Sequence, residues 1–314
     1  MKTQFSIYFW ALLMVFASAN AYAQTPFYGQ MFANRLQLNP ALAGSQGAGY
    51  AMAQYRNQWS NGTAIYQYLG LAYDQSIAKT WGVGINTQYD LSVAGFTVSN
   101  HHLHIAKAFQ MGEKHFLRAG LSGGLNLRSI NYNKLRFPDQ IDPNTGMITP
   151  SPTSGFDHFS LADFNAGLLY YNRLFFLSTS ARHVQGGLFV ETGAPALIRE
   201  YLLTSGLRIP ISLGSIGDFS LSPLVHYQRE GTSNVYMLGL AVETAKVQLI
   251  TWLMPETSLS LGLGTTLGPC QLAYQYEHYL SDDPFGNFGP THEFSLGFLL
   301  GEGDKRQLSA MPKF

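Results

Sequence analysis

Between residues 117 and 128 apolar and polar positions alternate. Leu117, Ala119, Leu121, Leu125 and Leu127 share one parity, and Arg118, Ser122, Asn126 and Arg128 share the other. A β-strand sends successive side chains to opposite faces, so this stretch predicts a strand with one apolar and one polar face. Residues 81–90 repeat the pattern, with Trp81, Val83, Ile85 and Thr87 set against Gly82, Gly84, Asn86, Gln88 and Asp90. Comparable segments fall at 48–59, 64–75, 96–109, 162–171, 174–183, 200–210, 217–228, 233–243, 246–254, 257–266, 270–279 and 291–301. Together they predict about fourteen strands, an even number as closed antiparallel bacterial barrels have. Pro223 weakens one strand, because proline removes a ladder donor. No sustained helical period, internal repeat or domain linker is visible, so the strands belong to one domain.

Alternation alone leaves two readings open. In a soluble sandwich the apolar face is the core; in a membrane barrel it faces lipid and the polar face lines the lumen. Connector lengths favour the barrel. Gln110–Lys114 and Leu213–Asp218 read as tight turns, whereas 131–158, 185–199 and 281–290 are long and carry Pro, Gly and Asp.

Composition moves the balance the same way. Hydrophobic residues are 46%, aromatics 14% and charged residues 12%, a charged fraction about half the usual one. Nineteen basic and nineteen acidic residues give a formal net charge of +0, which offers no field for holding phosphates, so nucleic acid is not an expected partner. The single Cys270 can form neither an internal disulfide nor a cysteine metal cage.

The first residues predict export. Lys2 precedes an apolar run, Phe5–Ala17, too short to span a bilayer, and Ala21-Tyr22-Ala23 offers a cleavage site. The expected division is a signal peptide at 1–23, an N-terminal periplasmic or plug segment at 24–47, and an outer-membrane barrel at 48–314. Residues 24–38 carry Phe27, Tyr28, Met31, Phe32, Leu36 and Leu38 without alternation. Such residues need cover, either inside the barrel as a plug or on a partner.

His102 and His104 share a strand face beside His101, but no third ligand is fixed near them, and no metal is expected. Asp139, Asp142, Asn144 and Gly146 lack the order and later Glu of a calcium loop; an Asx-type turn is expected instead. No serine is read as lying in a nucleophile elbow, which requires an α/β fold. No catalytic residue and no cofactor are expected. The charges Arg56, Asp90, Lys107, Arg118, Arg128, Asp163, Arg182, Arg208, Glu277 and Glu293 should point inward or sit at the rims, where both signs can pair and fill the lumen. On the lipid face each would cost about 2–4 kcal/mol near the midplane.

Three blocks carry a family resemblance. The first is Gln30-Met31-Phe32 with Asn39-Pro40-Ala41-Leu42-Ala43-Gly44 and Tyr55-Arg56-Asn57-Gln58-Trp59. The second is Asp163-Phe164-Asn165-Ala166-Gly167 leading to Tyr170-Tyr171; the third is Thr291-His292-Glu293-Phe294 after Tyr274-Gln275-Tyr276-Glu277. In this order they resemble the PorP/SprF family, outer-membrane proteins of the type IX secretion system of Bacteroidetes, whose members commonly end in a short Pro-basic-Phe tail like Pro312-Lys313-Phe314. Glu277, where many members have Asp, and the loop 185–199 depart from the pattern. The resemblance implies an all-β transmembrane barrel in the outer membrane, working without enzymatic chemistry in secretion or gliding. It implies as partners outer-membrane lipid, a secreted adhesin or other cargo, and the periplasmic secretion ring. The implied interaction residues are Phe32, Asn39, Pro40, Gly44, Arg56, Trp59, Asp163, Gly167, His292, Glu293 and Phe314. A porin-like channel for small solutes is the competing reading.

Overall fold

A computed structural model describes residues 28–61, 66–91, 95–135, 140–142, 145–148, 155–186, 196–214, 217–280, 289–301 and 311–312. The strands are β1 (Gly49–Gln58), β2 (Tyr66–Ser76), β3 (Trp81–Asp90), β4 (Phe96–Gln110), β5 (Phe116–Asn131), β6 (Phe156–Tyr171), β7 (Phe175–Arg182), β8 (Glu200–Leu207), β9 (Ile209–Ser212), β10 (Asp218–Glu230), β11 (Ser233–Glu243), β12 (Val247–Met254), β13 (Ser258–Leu267), β14 (Cys270–Tyr279) and β15 (Thr291–Leu300). Each pairs antiparallel with its chain neighbours, and β15 returns to pair with β1. β8 and β9 both pair with β10 and form one strand interrupted at Arg208, so the molecule is a closed 14-strand barrel. Closure leaves no unpaired sheet edge, which a strand protein needs within a bilayer.

Pro223 lies where the ladder is broken. β10 pairs with β8 as far as Leu224↔Gly206 and with β9 from Leu221↔Ile209, so the missing N–H falls in the gap between the two. β5 and β6 extend further than the alternation at 117–128 and 162–171 marks, pairing out to Asn131↔Phe156. Phe156, Asp157 and His158 are all exposed, so both faces of this extension are open and no apolar side marks it.

Burial decides between the two readings of the alternation. Leu103 is 67% exposed, Leu121 61% and Leu261 60%, whereas Gln54, Asn126, Thr204, Gln248, Gln275 and Glu293 are buried. The apolar parity is the outside and the polar parity the inside, the inversion that lipid imposes. Lys107 takes the rim rather than the lumen: it faces out near the end of β4, its ammonium 4.9 Å from the Trp81 ring centroid and 5.4 Å from that of Phe109. There the long stem lies along aromatic surface while the charge stays at the rim.

The connectors segregate. At one end lie only short turns, 77–80, 111–115, 172–174, 213–217, 244–246 and 268–269. The long connectors 132–155, 183–199 and 280–290 all lie at the other end. Inside the ring runs the segment Tyr28–Gly47, which contains α1 (Arg35–Leu38) and a 3-10 turn, Pro40–Leu42. Nearly all of its side chains are buried.

Candidate functional site: the lumenal segment and its seat

The turn Asn39–Gly44 rests on a track of small residues that no single strand reveals. Register places Gly82 beside Ala106, Ala106 beside Gly120, Gly120 beside Gly167 and Gly167 beside Ser180, one row across β3 to β7. A Cβ at Gly167 would stand 1.9 Å from Asn39 Oδ1, one at Gly120 2.3 Å from the Ala41 nitrogen, and one at Gly82 2.1 Å from the Ala43 oxygen. Ala106 packs with Ala43 and Leu36, and Ser180 Oγ donates to the Leu38 carbonyl at 2.8 Å. The row is small because a backbone lies on it.

Polar side chains fix the turn along the track. Asn39 Nδ2 donates to Leu168 O (2.9 Å), Ser178 Oγ (2.9 Å) and Thr179 O (3.0 Å), while its Oδ1 accepts from Ala41 N at 2.8 Å. That last bond caps the 3-10 turn, whose first position Pro40 fills without losing a donor. Arg118 donates through Nε to Ala41 O at 2.8 Å and through Nη2 to Ala43 O. Gly44 N donates to Asp74 Oδ1 at 2.8 Å, with Gly44 at a φ of +66° that favours glycine.

A second anchor holds the start of the segment at the barrel's closing seam. Arg56 and Glu293 sit directly opposite each other on β1 and β15. Arg56 reaches Glu293 Oε2 at 3.0 Å and Glu277 Oε2 at 2.8 Å. Glu293 also accepts from Gly29 N (3.0 Å), Gln30 N (3.1 Å) and Gln54 Nε2 (2.6 Å), and Ser258 Oγ donates to Glu277 at 2.7 Å. These bonds offset the cost of burying three charges away from water.

Between the anchors the contact is apolar. Phe32 is fully buried, 6.0 Å from the Phe176 ring and 6.2 Å from that of Trp252. Met31, Leu38 and Leu42 join it against the inward-facing Leu169, Leu202, Leu224, Met237 and Ile250. Burial also pushes the Tyr28 phenol above its usual range, so it stays neutral against Tyr68. Arg35 is buried too, its Nε donating to Phe32 O at 3.1 Å. A small cavity of about 30 Å³ remains beside Tyr28, Met31 and Arg182, room for one or two waters.

Asp163 belongs to a separate lumenal cluster. His102, Gly124 and Asp163 stand in one row across β4, β5 and β6. Gly124 lets His102 Nε2 pass over it to Asp163 Oδ2 at 2.8 Å, and His183 Nδ1 reaches the other carboxylate oxygen at 2.8 Å. Arg182 pairs with Glu200 at 3.0 Å, so lumenal charges of both signs do pair.

The remaining expected residues scatter. Trp59, at a φ of 61°, stacks edge-on to Tyr66 with centroids 5.0 Å apart. His292 faces outward, accepting or donating to Tyr274 Oη at 2.8 Å through Nδ1. Phe314 lies outside the described residues, as do Asp139 and Asn144. Asp142 Oδ1 accepts from Thr145 N at 3.1 Å, an Asx-type turn. The pattern G-x-S-x-G does occur, at Gly120-Leu121-Ser122-Gly123-Gly124, contrary to the sequence reading. It lies within strand β5, with Ser122 Oγ accepting from Asn165 Nδ2 at 2.9 Å, so there is no strand-to-helix elbow to expose a nucleophile.

Sequence reasoning missed Gly82, Ala106, Gly120 and Ser180, whose common row exists only in the register. It also missed Phe176 and Trp252, although Leu224/Val225, Met237/Leu238 and Leu249/Ile250 are apolar on both parities. A lumenal wall that is apolar on both faces needs an apolar filler, and that signal was available.

Residues 20–298 match the family described as type IX secretion system membrane protein PorP/SprF. Curated proteins gave no match. Solved structures similar to this chain include the toluene transporter TbuX of Ralstonia pickettii, 12% identical with a TM-score of 0.48, covering 86% of this chain and 94% of that one. The toluene transporter TodX of P. putida is 8% identical with a TM-score of 0.49, covering 84% and 93%. The CymD monoaromatic hydrocarbon channel is 12% identical with a TM-score of 0.49, covering 87% and 94%.

Proposed function

The chain belongs to the PorP/SprF family of type IX secretion system membrane proteins, a family of membrane barrels and not of enzymes, and from that premise we propose that it is a rigid outer-membrane scaffold. Its long-connector face holds or helps display a secreted surface protein, and its short-turn face meets the periplasmic secretion ring. The observation that carries this reading is the filled lumen: Tyr28–Gly47 is fastened at Glu293, Asp74, Arg118 and the Gly82–Gly120–Gly167 track. A barrel whose interior is bonded to its own chain serves better as a platform than as a solute path. Segregated connectors give that platform two chemically different faces.

The test is affinity purification of the tagged protein from its own outer membrane. Recovery of a secreted adhesin or of ring components is the expected outcome. Recovery of the barrel alone from intact membranes would count against the scaffold.

One observation favours a channel as a second reading. Asn86 Oδ1, Gln88 Nε2 and both nitrogens of His104 are buried on the lumenal wall with no hydrogen-bond partner in the protein. Buried polar groups left unpaired by protein are ordinarily hydrated. Steady, solute-selective conductance of the purified barrel alone in planar bilayers would favour that reading.

A further inference from the structure

The lumenal segment has a direction, and it runs opposite to a simple entry from the periplasm. Tyr28 packs on Tyr68, two residues from the long-connector end of β2, and lines a cavity with Arg182, the last residue of β7 at that same end. Gly29 and Gln30 bind Glu293, the third residue of β15 counted from that end. Lower down, Asn39 bonds Ser178 and Thr179 in mid-β7. Ala41 and Ala43 then reach Arg118, and Gly44 reaches Asp74, each two residues from the short-turn end of its strand. β1 begins at the short-turn end with Gly49 and climbs back, Gln54 Nε2 donating to Gln30 O at 3.3 Å. The chain therefore descends through the lumen before it joins the wall.

We infer that the lumenal segment is threaded from the long-connector rim, with Tyr28 uppermost, so that the chain enters the barrel from the cell exterior and not from the periplasm. Thr25 is three residues ahead of Tyr28 and, at about 3.6 Å per residue at most, cannot reach the short-turn end, so it reports the rim at which the segment enters. The inference rests on the orientation in the proposed function, with the short turns periplasmic.

The test places one cysteine at a time in a Cys270→Ser background and labels cells with a membrane-impermeant maleimide. Thr25→Cys reports the N-terminus, Thr145→Cys an exposed position in a long connector, and Glu113→Cys an exposed position in a short turn. Heat-modifiability on gels checks that each variant is folded, and an epitope fused ahead of Gln24, read by antibody on intact cells, gives a second readout. Thr25→Cys should label in intact cells as fully as Thr145→Cys. Labelling only after permeabilisation, together with Glu113→Cys, overturns the inference, and so does no labelling in either condition. If Glu113→Cys labels in intact cells and Thr145→Cys does not, the orientation fails. Thr25→Cys tracking Thr145→Cys would then still support the threading direction but overturn entry from the cell exterior.

Discussion

Asn39 shows how much one side chain can organise here. Its amide bridges the backbones of β6 and β7 while its oxygen caps the next turn. Asn39→Ala removes the bonds its amide gives to the wall and leaves the buried Ala41 N–H without its cap, a loss of about 1–3 kcal/mol in docking. Hydrogen exchange at the amides of Ala41–Gly44 should then quicken roughly 5- to 150-fold, at 1.4 kcal/mol per tenfold; unchanged exchange would show that Asn39 does not hold the turn. Arg56 poses the sharper case. Arg56→Ala strands two buried carboxylates and should cost about 3–5 kcal/mol, read as a lower urea midpoint for the barrel in micelles. Arg56→Lys should recover part of it, since one ammonium cannot fork to both Glu277 and Glu293 as the guanidinium does. Asn39 was singled out in the sequence as a motif member and Arg56 also as a charge to be turned inward or to the rim; which partners each takes, in distant strands, was not legible.

At the scale of elements, the lumenal segment and the wall are complementary along their length. Where the wall is β3–β7 it is small, and the turn's backbone lies on it; where it is β7–β12 it is apolar, and Phe32 and its neighbours fill it. The apolar load of 24–38 with no alternation pointed to a segment that needed cover. Which wall covered it required the register. Deleting residues 24–38 should raise the conductance of the reconstituted protein, because the upper lumen loses Phe32, Met31 and the Glu293 contacts. Equal, large conductance in both forms would sink the idea that the segment closes the barrel. The strands themselves were largely readable: every one of the fourteen expected segments is a strand or the interrupted pair β8 and β9. The misjudged ends, as at Phe156, lie where neither face meets lipid.

For the whole molecule the decisive fact is inversion. Outward Leu121 should tolerate no charge, so Leu121→Arg is expected to cost about 2–4 kcal/mol and to lower the folded fraction in lipid vesicles, read by heat-modifiability. Thr145→Arg, in an exposed connector, should fold as the parent does. If the two fold equally, Leu121 does not face lipid. The same inversion puts Arg56, Arg118, Asp163 and Glu293 inside, where Arg118 and Glu293 fasten the segment, Arg56 pairs with Glu293, and Asp163 binds His102 and His183.

What the sequence by itself determined is local: which residues alternate, where turns interrupt them, and that the strands number about fourteen. Those follow from the two-residue repeat of a strand and the chemistry of turns, which act over a few positions. Only the tertiary structure decided which parity faces lipid, because both readings share one alternation. It alone placed Gly82, Gly120 and Gly167 in one row, because register compares residues far apart in the chain. It alone gave Tyr28–Gly44 its downward course, because that direction is set by contacts with strands all round the wall and not within the segment.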